Sequence, residues 1–436
     1  MTEKTPLNIF WFRRDLRLAD NRGFFEALKA SRPVLAIFIF DTHILDTLHN
    51  KKDKRLSFIY KTLKQLNARL VEKGSALKVF YDSPLNAFET ICESYAIDHV
   101  FTNGDYEPYA IERDLKVAAF LKKKNIAFSS YKDQVMFEKS EVMKADGTPY
   151  TVFTPYSKVW KQNISEASTN SFGSESLLHH LYQTKSFAFP NLSEMGFEPT
   201  ESYDASTLPN ENTIADYHLK RNLPAVEGCS GMSVHLRFGT VSIRTLVGLA
   251  LHLNEKWLDE LIWREFFMMI LFHFPRVVSD NFKKKYDRIL WRNNETEFDL
   301  WCRGEIGYHI VDAGMRELNK TGLMHNRVRM VVAGFLTKHL LIDWRWGETY
   351  FAEKLLDYEL SSNNGNWQWA AGCGCDAAPY FRIFNPLEQE RKFDHDRAYI
   401  RKWLSDADLA NVSPIVDHAF ARDRALHAYK TALAQD

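Results

Sequence analysis

Five short apolar runs alternate with charged, amphipathic segments along the first third of the chain, and this alternation limits the fold more than any other feature. The runs are LNIFWF (7–12), PVLAIFIFD (33–41), ALKVFY (76–81), HVFTN (99–103) and IAFSSY (126–131). Helical stretches fall between them, notably at 53–73, 85–95 and 108–124. Strand, helix, strand at this spacing predicts a parallel α/β sheet. The runs are apolar nearly throughout, as strands covered on both faces must be. Residues 1–135 therefore read as an α/β domain with a Rossmann-like, five-stranded parallel sheet. No G-x-G-x-x-G follows the first run; WFRRDLRLADN (11–21) stands there instead, which argues against a dinucleotide held in the NAD manner. Its Arg-Arg-Asp-Leu-Arg stretch reads most simply as a solvated loop.

The pattern loosens after this. ADGTPYTVFTPYSKVW (145–160) and SEASTNSFGSES (165–176) are rich in Ser, Thr, Gly and Pro. Residues 136–205 thus read as a long linker with little core of its own. From 206 to 436 the period becomes helical, most clearly at 240–255, 256–273, 308–319, 325–342 and 347–361. An all-helical second domain is expected.

Lys plus Arg equals Asp plus Glu at 56 each, so any nucleic-acid surface must be a local patch. The 11 Trp, 18 Tyr and 31 Phe offer many π surfaces, which serve cores and also stack on bases and cofactors. Five scattered cysteines argue against a disulfide framework and for a reducing, cytoplasmic setting. No signal peptide opens the chain and no apolar run is long enough for a membrane span.

Several constellations in the helical half carry chemistry. In WLDELIWREFFMMILFHFP (257–275), a helix puts Leu258, Leu261, Ile262, Phe266 and Met269 on one side. The other side holds Trp257, Glu260, Trp263, Arg264 and Phe267. That mixture fits a buried ion pair among aromatics, and equally the wall of a pocket for a flat, hydrogen-bonding ligand. LMHNRVRM (323–330) gathers Asn326, Arg327, Arg329 and Met330 on a helix. Asp357, Glu359 and Asn363 precede Trp367 and Trp369, so two carboxylates adjoin an aromatic cluster. PAVEGCSGMS (224–233) is a small-residue turn able to cradle an anion, although most such loops are plain turns. NNGNWQWAAGCGCDAAPYFRIFNP (363–386) is too glycine-rich for a plain helix or strand. Its Cys373 and Cys375 lack zinc-type partners, so no metal is expected. Its glycines instead allow a backbone and a ring to approach closely.

Taken together, WFRRDLRLADN, TPYSKVW, KFDHDRAYIRKWL (392–404) and above all the 363–386 stretch resemble the photolyase/cryptochrome family over nearly the whole chain, most of all its bacterial class I cyclobutane-dimer photolyases. The resemblance implies one FAD per chain, held in the helical domain. Tyr217, Ser230, the Met232 backbone and Ser233 match its phosphate and ribose contacts. Trp257 and Arg264 match further cofactor positions. Asp357 and Glu359 match carboxylates near the flavin ring, with Arg329 as the ion-pair partner of Asp357. Asn363 matches the residue beside a flavin ring nitrogen. Trp301, Trp344 and Trp367 match an electron-transfer triad. Glu260, Trp263, Arg264, Asn326, Arg327, Met330 and Trp369 match a pyrimidine-dimer pocket, in which Glu260 and Asn363 bear on the chemistry. Arg221 and Gln389 match DNA contacts.

There are departures. Cys229 stands where Thr is common and Glu359 where Asp is usual. The residue pair that holds a folate in relatives finds no match around YEPYAIERD (106–114), so a second antenna chromophore is left unassigned. The implied activity is light-driven repair of cyclobutane pyrimidine dimers in DNA, by a monomer. The alternatives are a cryptochrome-type blue-light photoreceptor and a (6-4) photoproduct photolyase. Asn363 and the 33 residues after Trp403 weigh against the first, and Asn326, where a His would be needed, against the second.

Overall fold

The computed structural model describes residues 5–201, 203–204, 206–410 and 413–434. Strands β1 (Leu7–Phe12), β2 (Val34–Asp41), β3 (Lys78–Asp82), β4 (Ile97–Asn103) and β5 (Ala127–Tyr131) form one sheet in the order β3-β2-β1-β4-β5. Every neighbouring pair is parallel, with Phe10 paired to Ala36 on one side and Phe101 on the other. All of β1 and β2 is buried, which is why those runs carry no polar alternation. Ile9, Trp11, Ile37, Ile39 and Val100 pack with Phe88 and Ile91 of the Pro84–Ser94 helix and with Val117 and Leu121 of the Pro108–Lys123 helix. Burying each such side chain is worth about 1.5–3 kcal/mol.

The stretch after β1 departs from the solvated loop that its charge suggests. Asp15 is 2 % exposed and Arg17 8 %. Arg17 pairs with Asp133 at 2.6 Å, and Arg244 joins both Asp133 (2.7 Å) and Asp20 (2.9 Å). Arginine's five donors let a buried cluster of this kind be fully hydrogen-bonded, as burial of charge requires.

Two compact units emerge, each discontinuous in sequence. One comprises Met1–Glu138, Asn163–Leu208 and Gly231–Leu249; the other comprises Lys139–Gln162, Pro209–Ser230 and Ala250–Asp436. The segment read as a coreless linker carries the helix Phe153–Asn163, with Phe153, Tyr156 and Trp160 buried. Its aromatic residues pack on Phe266, a contact that local composition does not reveal.

In the second unit the helices His309–Thr321, Asn326–Gly334, Trp344–Lys354 and Leu360–Ala371 surround a core that includes Trp301, Trp344 and Trp367, and the Glu255–His273 helix packs on the Leu360–Ala371 helix. The helix expected at 325–342 turns into a π-helical segment at Phe335–His339, and the one expected at 347–361 stops at Lys354. The cause of the stop is tertiary. The Leu356 N–H donates to the Gly322 carbonyl (2.8 Å), drawing the backbone off the helical path. The first part of the 363–386 stretch is helical, up to Gly372, whose φ of +87° ends it as glycine can. Gly365 lies inside that helix because a Cβ there would come within 2.2 Å of the Phe267 ring.

Candidate active site

Leu355–Glu359 forms a short link between two helices, and this places Asp357 and Glu359 in the wall of a cavity. Asn326, Arg329, Met330, Asn363, Trp367 and Trp369 line the same cavity, along with Phe351 and Leu355. The sequence thus named most of the wall. Helical spacing explains part of this, because Asn326 and Met330 lie one turn apart on one helix, and Asn363 and Trp367 on another.

Each carboxylate is matched by an arginine. Asp357 accepts from Arg329 at 2.9 Å, the pair expected from the resemblance, and Glu359 pairs with Arg264 at 3.2 Å. Ser362 also donates to Glu359 (2.9 Å). Asn363 is held through Nδ2, which donates to both the backbone carbonyl and Oε1 of Glu348. Burial pushes the Glu348 carboxyl above its usual pKa, opposed by the Asn363 hydrogen bond. Glu348 lies on the Trp344–Lys354 helix, and no motif or period in the sequence pointed to it.

Glu260, Trp263 and Arg264 project from the Glu255–His273 helix and are partly buried, whereas Trp257, placed on the same polar side by periodicity, is buried at 3 %. Phe267, from that side too, is also core, so this helix is covered nearly all round. Arg221, matched to a DNA contact, is turned onto Glu260 at 2.7 Å. Burial raises the Glu260 pKa, with Arg221 pulling the other way. Trp263 lies against Phe153, a partner the sequence reading missed. Arg327 donates to Asn222 (2.6 Å) and stacks over Phe393 at 4.3 Å. Gln389 sits on the Pro386–Phe393 helix, with its Oε1 buried and without a hydrogen-bond partner.

Tyr217 and Ser230 belong to the second unit and are partly buried. Met232 and Ser233 open the Met232–Phe238 helix of the first unit, behind Gly231 at φ +71°. None of these four lines the cavity.

The three indoles are interior: Trp301 and Trp344 are 0 % exposed and Trp367 2 %. Trp301 touches Trp367 directly, edge to face, with centroids 6.1 Å apart. Trp344 donates Nε1–H to Asn281 (2.8 Å), and Trp301 to the Val332 carbonyl (3.2 Å).

Residues 8–172 match the family model described as DNA photolyase, and residues 257–413 the one described as the FAD binding domain of DNA photolyase. Among curated relatives, the deoxyribodipyrimidine photo-lyase of Escherichia coli is 35% identical, covering 98% of this chain and 98% of its own. That of Synechococcus is 35% identical over 93% of this chain and 89% of its own. Among solved structures, a bacterial class III photolyase from Agrobacterium tumefaciens superimposes with a TM-score of 0.85 at 32% identity, covering 99% and 98% of the two chains. An archaeal photolyase from Sulfolobus tokodaii, described with two FAD molecules, gives 0.80 at 32% identity over 97% and 99%. A parallel α/β region ahead of a helical, flavin-binding region is the class that this fold and cavity define. The chain belongs to the photolyase/cryptochrome family.

Proposed function

We propose that this protein is a deoxyribodipyrimidine photo-lyase, which uses light and bound FAD to split cyclobutane pyrimidine dimers in DNA. The observation that carries the reading is the cavity itself. An amide locked in one orientation and two arginine-paired carboxylates meet on its wall beside Trp367 and Trp369.

The residues present fit a flavin. Asn363, Asp357 and Glu359 would hold its ring, with Trp257 and Arg264 beside it, and Tyr217 and Ser230 its phosphates and ribose. When bound, the flavin supplies the light-absorbing, electron-donating centre. Trp301, Trp344 and Trp367 form an indole relay through the dry interior toward it.

The protein's own work is to take up the damaged bases. A dimer must leave the duplex, at a cost of a few kcal/mol that is smallest for damaged bases. Stacking on Trp263 and Trp369, at about 1–3 kcal/mol per base, offsets that cost. Asn326, Arg327 and Met330 complete the pocket, and Glu260 offers its carboxyl to a pyrimidine carbonyl. Arg221 can hold Glu260 and still reach a phosphate, because a guanidinium has five donors. Gln389 adds a further DNA contact. Residues 1–135 serve as the antenna domain, 136–205 as the connector and 206–436 as the FAD- and DNA-binding domain, except that 139–162 fold with the second compact unit and 231–249 with the first. The enzyme works as a monomer in the cytoplasm, in keeping with its five free cysteines. Among the described residues no helix is long and apolar enough to cross a membrane.

The test is repair of a defined dimer-containing oligonucleotide by the flavin-loaded protein, in light and in darkness. Repair in light alone is expected, with about one FAD released per chain on heating. A protein that holds FAD and repairs no cyclobutane dimer would instead be a photoreceptor of the same fold or a (6-4) photolyase.

A further inference from the structure

Phe153 lies flat against one face of Trp263, with ring centroids 3.7 Å apart and planes 4° from parallel. Two aromatic rings left to themselves avoid this arrangement, since a face-to-face sandwich sets negative π faces together; offset or edge-on packing is preferred. The surroundings hold the sandwich in place. The Phe153 N–H donates to Asp376 Oδ2 (3.1 Å). On the same short helix Trp160 donates to Glu265 Oε1 at 2.5 Å, and Tyr156 donates to the same oxygen at 3.4 Å. Glu265 is 3 % exposed and lies two residues beyond Trp263. Phe153 and Tyr156 both pack on Phe266, at 6.0 and 5.2 Å. A buried carboxylate between an indole and a phenol fixes the Phe153–Asn163 helix to the Glu255–His273 helix at the level of Trp263.

Trp263 is nevertheless only partly buried, its other ring contacts being a tilted Phe267 at 5.4 Å and an edge-on Phe266 at 5.6 Å. We propose that Phe153 is a positioning residue for substrate: a back plate that fixes the plane of Trp263 and presents its other face, already ordered, to an unstacked pyrimidine. The gain is preorganisation. An indole free to turn would lose its rotamer freedom on binding, whereas one clamped between fixed elements has lost it in the free protein. The proposal rests on the reading of Trp263 as a stacking residue.

The experiment is equilibrium binding, in darkness, of a dimer-containing oligonucleotide and its undamaged counterpart to the flavin-loaded protein. Phe153→Ala and Phe153→Leu should each weaken binding of the damaged strand roughly three- to tenfold, leaving the undamaged strand and the FAD content unchanged. Phe153→Tyr keeps a flat ring and should bind as the parent does. The same changes made on a Trp263→Ala background should add almost nothing, because Phe153 acts through Trp263. If Phe153→Ala does not fold, the Leu variant, which keeps most of the apolar volume, decides. Parent-like binding by Phe153→Leu alongside a clear loss in Trp263→Ala overturns the proposal. Equal losses in both backgrounds overturn it too, by showing a general structural role. No loss in Trp263→Ala removes the stacking reading itself, and the proposal with it.

Discussion

Asn363 gives both hydrogens of its side-chain amide to Glu348, one to the backbone carbonyl at 3.0 Å and one to Oε1 at 2.8 Å. A backbone carbonyl can only accept, so Nδ2 must face Glu348 and Oδ1 is left for the cavity. In the proposed site that oxygen would face the flavin and favour its reduced form, which carries the additional ring N–H. Glu348→Ala removes one of the two restraints, a loss of about 1 kcal/mol. Reduced flavin should then reoxidise in air several-fold faster, as followed by absorbance. An unchanged rate would mean that the backbone carbonyl alone sets the amide.

The role proposed for Glu260 is to donate to a pyrimidine carbonyl; burial raises its pKa while Arg221, 2.7 Å away, opposes the rise. Glu260→Gln keeps a donor and Glu260→Ala does not. Repair yield per photon, at saturating enzyme with the flavin pre-reduced, should fall more for Ala than for Gln. Binding should fall less than yield in either case. Two variants that repair like the parent would exclude Glu260 from the chemistry.

His325 caps the Asn326–Gly334 helix, its Nδ1 accepting the Arg327 N–H at 3.1 Å. That bond requires a neutral ring. Burial first, then the charges of Arg327 and Arg329, push the pKa from 6.5 down to about 4. A folded-state pKa below the unfolded one means a contribution that is complete above pH 6.5 and lost as pH falls toward 4. At about 1.36 kcal/mol per pH unit this amounts to at most about 3 kcal/mol. His325→Asn keeps a cap without titrating, so its melting temperature should fall less than the parent's between pH 6.5 and 4. Parallel pH curves would refute the assignment.

Trp367 touches Trp301 on one side, and on another meets Gly347, where an added Cβ would come within 2.1 Å of its ring. Trp367→Phe should abolish photoreduction of bound flavin and leave repair by chemically reduced enzyme nearly intact. Gly347→Ala should displace the indole, costing about 1–3 kcal/mol of stability and slowing photoreduction. Trp344→Phe should be milder, since Trp346 reaches Trp301 through Phe298, with centroid steps of 5.2 and 5.8 Å. Full photoreduction in the Trp367 variant would place the electron route elsewhere.

Much of the site was legible through the family resemblance, and part of it through helical spacing. Asn326 and Met330, or Asn363 and Trp367, share a wall through local geometry alone. Phe153 and Asn222 were not legible, because each reaches its partner from a segment distant in sequence, and Glu348, though only 15 residues before Asn363, carries no motif that marks it. Nothing in a Ser-, Thr- and Pro-rich stretch marks Phe153 as the ring that backs Trp263. The buried charges after β1 were missed for a related reason: their partners Asp133 and Arg244 lie more than a hundred residues downstream.

The sequence by itself determined the parallel sheet, the change to helical period and the chemical inventory of the cavity wall. The first two follow from the alternation and period of apolar residues, which are local properties, and the third from the resemblance of whole segments to a known family. Tertiary structure alone decided where helices stop, which arginine meets which carboxylate and which face of an indole is covered. The Gly322 carbonyl ends a helix that periodicity would have carried on to Ser361, and so leaves Asp357 and Glu359 in the cavity wall. Long-range hydrogen bonds and ring contacts of this kind depend on distances between elements, and a linear pattern of residues does not contain those distances.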